Sequence, residues 1–348
     1  MNSDRPVTSQ LDVLIASYLD QALVDRIAAT DPRVSVHYHP DLLPAPRWVG
    51  DHAGIPPALH AGQHERWSAL LAGAQVMFDF DWRRPEDTLA QSPRLRWVQA
   101  TSAGVGARVE ALGLRHGPLT ITTASGVHAG PLAEFVLAGI LYFARRLPDL
   151  EADRAERIWR EGAASELAGR NAVVVGAGRI GTRIAEMLKV FGVTSTGVTR
   201  RRRPVAAPFV EAVTSEELPG HLHRADILIV AAPITDQTQA MIAAPEIAAL
   251  PDGAVIVNVG RGATIDEHAM IGELRAGRLR GAVLDVTAVE PLPTDSALWS
   301  LDNVILSPHT AANVPSENAK IVEIFTDNLR RYLRGEPLRN VYDHDAGY

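Results

Sequence analysis

The sequence predicts an α/β protein of two domains, one of them built on a doubly wound parallel sheet. Three observations predict it. The chain has 348 residues, more than one hydrophobic core usually supports, so a second domain is expected. Between residues 171 and 308, runs rich in Val, Ile and Leu alternate with helical patterns, and near-continuous apolar runs suit strands of a parallel sheet covered on both faces. The third observation is Gly176-x-Gly178-x-x-Gly181, directly after the first of those runs and before a helical pattern.

Taken in order, "LDVLIA" (11–16), "AQVMFDF" (74–80), "LRWVQAT" (95–101) and "LTITTAS" (119–125) each read as a buried strand. Helical intervals at 65–72 and 85–91 separate some of them, which points to a small α/β layer structure. The Pro/Gly-rich stretch 39–57 reads as loop. A long apolar helix follows from residue 130 to about 147, where Pro131 suits the first turn and Glu134 complements the positive end of the dipole. Too short to span a bilayer and interrupted by Glu134, it reads as a buried or interface helix. Strands are then expected at 171–176, 193–199, 226–233, 253–259, 281–286 and 303–308. No internal repeat or low-complexity tract interrupts the pattern.

Composition narrows the function. Hydrophobic residues at 46% and charged ones at 22% describe a packed globular chain. A formal charge of −7 repels nucleic acid and anionic membrane, so neither is an expected partner. The absence of cysteine excludes disulfides, thiolate metal sites and a Cys nucleophile. The N-terminus shows no basic-then-apolar signal pattern, and a cytoplasmic location is expected. "HYH" (37–39) and "HLH" (221–223) lack the companions of a metal site, and none is expected. No G-x-S-x-G elbow occurs, and "HERWS" (64–68) departs from H-E-x-x-H at Ser68.

The glycine turn is the first chemistry-bearing motif. Gly176, Gly178 and Gly181 let the backbone approach a pyrophosphate, while the helix opening at Arg179 and Ile180 offers its amides and dipole to the charge. Ile184, Met187, Leu188 and Phe191 give that helix an apolar face. An NAD site places a carboxylate about 20 residues on, for the ribose 2′-hydroxyl, whereas a 2′-phosphate needs cations. Here the second strand ends in Val198, Thr199, Arg200, Arg201, with no acid. Thr199 can donate a hydrogen bond and Arg200 or Arg201 can fork onto a phosphate, so NADP(H) is expected in preference to NAD(H). Arg202 and Arg203 read as a solvated loop face.

Three reactive side chains follow later strands: Arg261, Glu290 and His309. Ligands of open α/β sheets bind outside the carboxyl ends of the strands, where these three could converge. An Arg fork can hold a 2-oxo-carboxylate and polarise its carbonyl, a His can move the hydroxyl proton, and a carboxylate beside it favours the imidazolium.

With these residues in place, the chain resembles the D-isomer-specific 2-hydroxyacid dehydrogenase family, which includes glyoxylate/hydroxypyruvate reductases and phosphoglycerate dehydrogenase. The matching stretches are "WVQATSAGVG" (97–106), "ASGVHAGPLAEFVLAGIL" (124–141), "VVVGAGRIG" (173–181), "AAPITDQT" (231–238), "VNVGRGATIDEHAM" (257–270), "GAVLDVTAVEPLP" (281–293) and "NVILSPHTAAN" (303–313). The resemblance implies a flavodoxin-like substrate domain from 1–126 plus 312–348 and a Rossmann dinucleotide domain over 127–311, with a cleft that closes on NADPH and a small 2-oxo acid. It implies that Arg261 binds substrate, that His309 is the general acid/base paired with Glu290, and that the backbone of Ser102, Ala103 and Gly104 holds the substrate carboxylate. Pro233 and Asp285 would line the cofactor, the latter by the nicotinamide carboxamide. The implied reaction is reversible reduction of a glyoxylate- or hydroxypyruvate-like acid to the D-2-hydroxy acid, in a homodimer to which the 131–147 helix contributes.

Departures from the family are Gly106, where an acid is usual, and Thr199, already discussed. His128 reads as a packing or interface residue ahead of a substrate contact. Residues 39–60 and the loop near 102 would set the substrate side chain and match no subgroup. Two rival readings are a dinucleotide-sensing binding protein of the same fold and a related dehydrogenase acting on another small anion, formate or phosphite. Glu290 stands where formate enzymes of this scaffold carry an amide, which counts against formate.

Overall fold

The computed structural model describes residues 10–202, 204–345 and 347. The chain divides into two compact units, 1–128 with 313–348, and 129–312. In the first unit, strands β1 (Leu11–Ile15), β2 (Val34–His37), β3 (Val76–Phe78), β4 (Trp97–Gln99) and β5 (Thr120–Thr122) alternate with helices α1 (Gln21–Ala28), α2 (Ala61–Gly73), α3 (Thr88–Gln91) and α4 (Gly106–Ala111). All pair in parallel in the order β2-β1-β3-β4-β5, the flavodoxin-like arrangement.

The second unit opens with α5 (Ala129–Ala144) and α6 (Leu147–Glu156). Its strands are β6 (Asn171–Val175), β7 (Thr194–Thr199), β8 (Glu211–Thr214), β9 (Ile227–Val230), β10 (Val255–Asn258), β11 (Gly281–Leu284) and β12 (Val304–Leu306). The connecting helices are α7 (Arg179–Val190), α8 (Pro219–Leu222), α9 (Ala244–Ala248) and α10 (Glu267–Arg275). The sheet runs β12-β11-β10-β9-β6-β7-β8, parallel throughout, which is the Rossmann order with one further strand. Every residue of β9, β10 and β11 is buried, as a sheet covered on both faces requires. The chain then returns to the first unit through α11 (Glu317–Arg334).

Each unit has its own core. In the second, Ile184 and Leu188 of α7 pack with Val174 of β6, Ile229 of β9 and Val136 and Ile140 of α5. In the first, Phe325 of α11 sits 5.3 Å from the ring of Phe78 and 5.2 Å from that of Trp97, joining the helix to β3 and β4. Stretch 39–57 carries a 3-10 turn at Pro40–Leu42 and an isolated bridge between Ala45 and Ile55, and is otherwise irregular. At Gly106 the missing acid has a steric reason: a Cβ there would lie 2.3 Å from the Gly347 carbonyl oxygen. α4 starts without a side-chain cap, its N-cap residue being Val105.

Among the described residues, no helix is long and apolar enough to cross a membrane, and no group of three or more His, Cys, Asp or Glu could hold a metal ion.

Candidate active site

β10, β11 and β12 are adjacent and parallel, so the loops that leave their carboxyl ends lie side by side. Arg261 follows β10. Its carbonyl accepts hydrogen bonds from Asn258 Nδ2 at 3.1 Å and Thr264 Oγ1 at 2.6 Å, and Nη1 of its own guanidinium donates to the Gly260 carbonyl at 2.7 Å. The next residue fixes the neighbouring loop: a Cβ on Gly262 would stand 1.8 Å from the Thr287 carbonyl oxygen, so only glycine lets the two backbones meet.

From Thr287 the contacts run to the histidine. The Thr287 amide donates to Glu290 Oε1 at 3.2 Å, and Glu290 Oε2 lies 2.8 Å from His309 Nδ1. A carboxylate can only accept, so the pair assigns the ring proton to Nδ1 and leaves Nε2 for proton exchange. Both side chains are open to solvent, His309 at 47% and Glu290 at 39%. The pair therefore orients the ring and adds little to stability. His309 itself has φ +58.

Asp285, which ends the run after β11, is 3% exposed. Its Oδ1 accepts from Ser307 Oγ at 2.6 Å and the Ala311 amide at 2.9 Å, and its carbonyl accepts from the His309 amide at 2.9 Å. Sequence reasoning passed over Ser307. The available signal was a hydroxyl two residues before a histidine at a strand end.

The glycine turn leaves β6 where the strand order reverses between β6 and β9, the usual ligand crevice of such sheets. Gly176 has φ +95, and a Cβ there would lie 2.7 Å from the Ala232 amide nitrogen. A Cβ on Gly181 would lie 2.2 Å from the Gly176 carbonyl oxygen, so α7 can approach the turn only as glycine. Gly178, by contrast, would point its Cβ into open space and caps α7 without a side-chain bond. Arg179 and Ile180 form the first turn of that 12-residue helix. Uncapped amides beside open space fit a dinucleotide pyrophosphate.

At the end of β7, Thr199 Oγ1 donates to the Arg201 carbonyl at 2.8 Å, so the hydroxyl expected to meet a phosphate is spent on its own loop. Arg200 and Arg201 are exposed beside it. Arg202 pairs with Glu217, and Arg203 lies outside the described residues. The Thr214 amide donates to Glu217 at 2.8 Å and, with Arg202, holds that carboxyl below its usual range. The Pro233 carbonyl accepts from Thr238 Oγ1 at 2.7 Å in the loop after β9.

In the first unit, Ser102, Ala103 and Gly104 follow β4, with Ser102 and Gly104 exposed. The Ser102 carbonyl accepts from the Ala124 amide at 3.0 Å, and Thr101 Oγ1 donates to buried Asp79 Oδ2 at 3.0 Å. His128 Nε2 lies 2.9 Å from Glu317 Oε1, with both side chains largely buried.

The chain's residues 137–311 match the family model for the D-isomer specific 2-hydroxyacid dehydrogenase NAD binding domain. Glyoxylate/hydroxypyruvate reductase A of Salmonella newport (strain SL254) is 30% identical over 276 residues, 77% of this chain and 86% of that protein. The chain belongs to the D-isomer specific 2-hydroxyacid dehydrogenases. Among solved structures, a D-isomer specific 2-hydroxyacid dehydrogenase from Xanthobacter autotrophicus Py2, in complex with NADPH and MES, is 29% identical with a TM-score of 0.78, covering 98% of this chain and 100% of that one. An NADPH-dependent glyoxylate/hydroxypyruvate reductase from Sinorhizobium meliloti, in complex with NADP and sulfate, is 25% identical with a TM-score of 0.78 over 97% of this chain and 100% of that one. This dehydrogenase is therefore an oxidoreductase with a Rossmann NAD-binding domain, as the residue pattern and the resemblance led one to expect.

Proposed function

We propose that this dehydrogenase reduces a small 2-oxo acid of the glyoxylate or hydroxypyruvate type to the D-2-hydroxy acid, with NADPH preferred over NADH. The observation that carries it is the His309–Glu290 pair, at 2.8 Å, joining the loops that follow β12 and β11, the second of which neighbours β10, the strand that delivers Arg261. When bound, the nicotinamide supplies the hydride that C2 receives. His309 gives a proton from Nε2 to the carbonyl oxygen and takes it back in the reverse direction. Glu290 fixes the ring and its tautomer by accepting from Nδ1. Arg261 forks onto the carboxylate and stabilises charge growing on the carbonyl oxygen. The amides of Ser102, Ala103 and Gly104 take the carboxylate in the same reading.

The NADPH preference is supported by the missing acid at Thr199 and the cations Arg200 and Arg201 beside it. Asp285, Pro233, Arg179 and Ile180 complete the nucleotide contacts in this reading. A homodimer through α5 and a cytoplasmic location accompany it. The test is a panel of 2-oxo acids assayed with both reduced nicotinamides. Glyoxylate and hydroxypyruvate should oxidise NADPH, and His309→Asn should cut turnover by roughly 10²–10⁴-fold while NADPH still binds. No turnover with any 2-oxo acid, or near-normal turnover of the variant, would overturn the proposal.

A further inference from the structure

Resting on the reading of His309 as the acid/base, we propose that Ser307 is a positioning residue whose hydroxyl holds His309 in the conformation that meets Glu290. The backbone of His309 is left-handed, at φ +58, a region that residues with side chains enter rarely. Such a conformation persists only where the surroundings over-determine it. Here the surroundings are one buried carboxylate and one hydroxyl. Asp285 takes bonds from both flanks of the turn, Ser307 Oγ at 2.6 Å and the Ala311 amide at 2.9 Å, and its carbonyl accepts the His309 amide at 2.9 Å.

Ser307 Oγ is the group that reaches both sides of the histidine. It donates to Asp285 and accepts from the Thr310 amide at 3.4 Å, with Thr310 Oγ1 also at 3.4 Å. The imidazole needs this support because it is half exposed, and among the described residues its ring is hydrogen-bonded only to Glu290. Without the hydroxyl, the Thr310 amide is released and Asp285 keeps one of its two side-chain bonds. The turn can then relax toward φ below zero, which carries Nδ1 away from Glu290 Oε2.

Two measurements test this on the full chain. In the first, ¹⁵N-labelled histidine side chains are observed in the wild type, Ser307→Ala and Ser307→Thr, with Glu290→Ala marking the lost pair. The His309 Nδ1–H resonance should move in Ser307→Ala to the position seen in Glu290→Ala and stay in place in Ser307→Thr. In the second, Ser307→Ala should lower kcat by about tenfold to a hundredfold with the Kd for NADPH within about twofold of wild type, and Ser307→Thr should restore kcat. An unmoved ring resonance in Ser307→Ala, or NADPH affinity falling in step with kcat, overturns the proposal. If Ser307→Ala does not fold, Ser307→Cys, which keeps the volume and weakens the donor, must show the same loss. Wild-type turnover judges the assigned reaction, whereas the ring resonance judges the role of Ser307 whether or not turnover occurs.

Discussion

In the proposed function, Thr199 at the end of β7 stands where the ribose of the dinucleotide is met. Thr199 carries no charge, its hydroxyl is bonded to the Arg201 carbonyl, and the Glu217 carboxylate across the loop is matched by Arg202. The Glu217 charge is therefore compensated within the chain. Thr199→Glu would add a negative charge, and like charges facing each other cost several kcal/mol. The ratio of kcat/KM for NADPH over NADH should fall at least tenfold, or about 1.4 kcal/mol; an unchanged ratio would mean that the 2′-phosphate is read elsewhere. Gly181→Ala is expected to be harsher, since its Cβ would lie 2.2 Å from the Gly176 carbonyl oxygen. Overpacking of that kind costs about 1–3 kcal/mol, and it should show as a lower melting temperature together with lost NADPH binding. Residues of this sort were legible because their type is tied to their chemistry: glycines in a turn, a guanidinium, a carboxylate and an imidazole after apolar strands. Ser307 and Glu217 were not, because each acts through a hydrogen bond or ion pair whose partner only the folded chain reveals.

Among elements, the buried parallel strands and α7 were readable from apolar runs and helical spacing, and the structure places strands inside the expected ranges with shorter ends. Edge strands β2 and β8 escaped, because "VSVH" and "EAVT" are short and half polar, as edges exposed on one side can be. α11 did carry a signal, Ile321, Phe325, Leu329 and Leu333 at steps of four, all buried in the structure. Phe325→Ala should cost about 3–5 kcal/mol, a core cavity measured by denaturant unfolding. The loop over 39–57 has a different anchor. Asp51 accepts from Arg47 Nε at 2.6 Å and Nη2 at 3.0 Å, and from the amides of Ala53 at 3.2 Å and Gly54 at 3.0 Å. Arg47 is the chief reason its carboxyl is held well below the usual 3.8. A carboxyl depressed in the folded state stabilises fully above its unfolded value and loses that contribution as pH falls through the folded one. The clasp's contribution should thus be complete at neutral pH and begin to decline only below about pH 4, with the folded carboxyl taking up its proton well below that. Amide resonances of Ala53 and Gly54 should hold still through that point and shift only well below it, and in Asp51→Asn they should be shifted already at neutral pH. Shifts beginning near pH 6 would assign the loop's pH response to another group.

On the scale of the whole molecule, the two units differ in what they are expected to feel. Each has a parallel sheet and apolar clusters drawn from its own residues, so each can unfold as its own cooperative block. In the proposed function the glycine turn, the β7 corner and Asp285 hold NADPH, and all lie within 129–312. A ligand stabilises only the block that binds it, by about 2.7 kcal/mol at a free concentration 100 times its Kd. For a block of this size each kcal/mol is worth roughly 2–4 °C, so calorimetry with saturating NADPH should raise one transition by about 5–10 °C. The other should stay within about 1 °C. Phe325→Ala identifies which is which, because Phe325 packs in the first unit and its loss should lower the transition that NADPH leaves alone. If NADPH instead raised the transition that Phe325→Ala lowers, or if one merged transition responded to both, the nucleotide would not be held by 129–312 acting alone, and the assignment of its contacts would have to be redrawn.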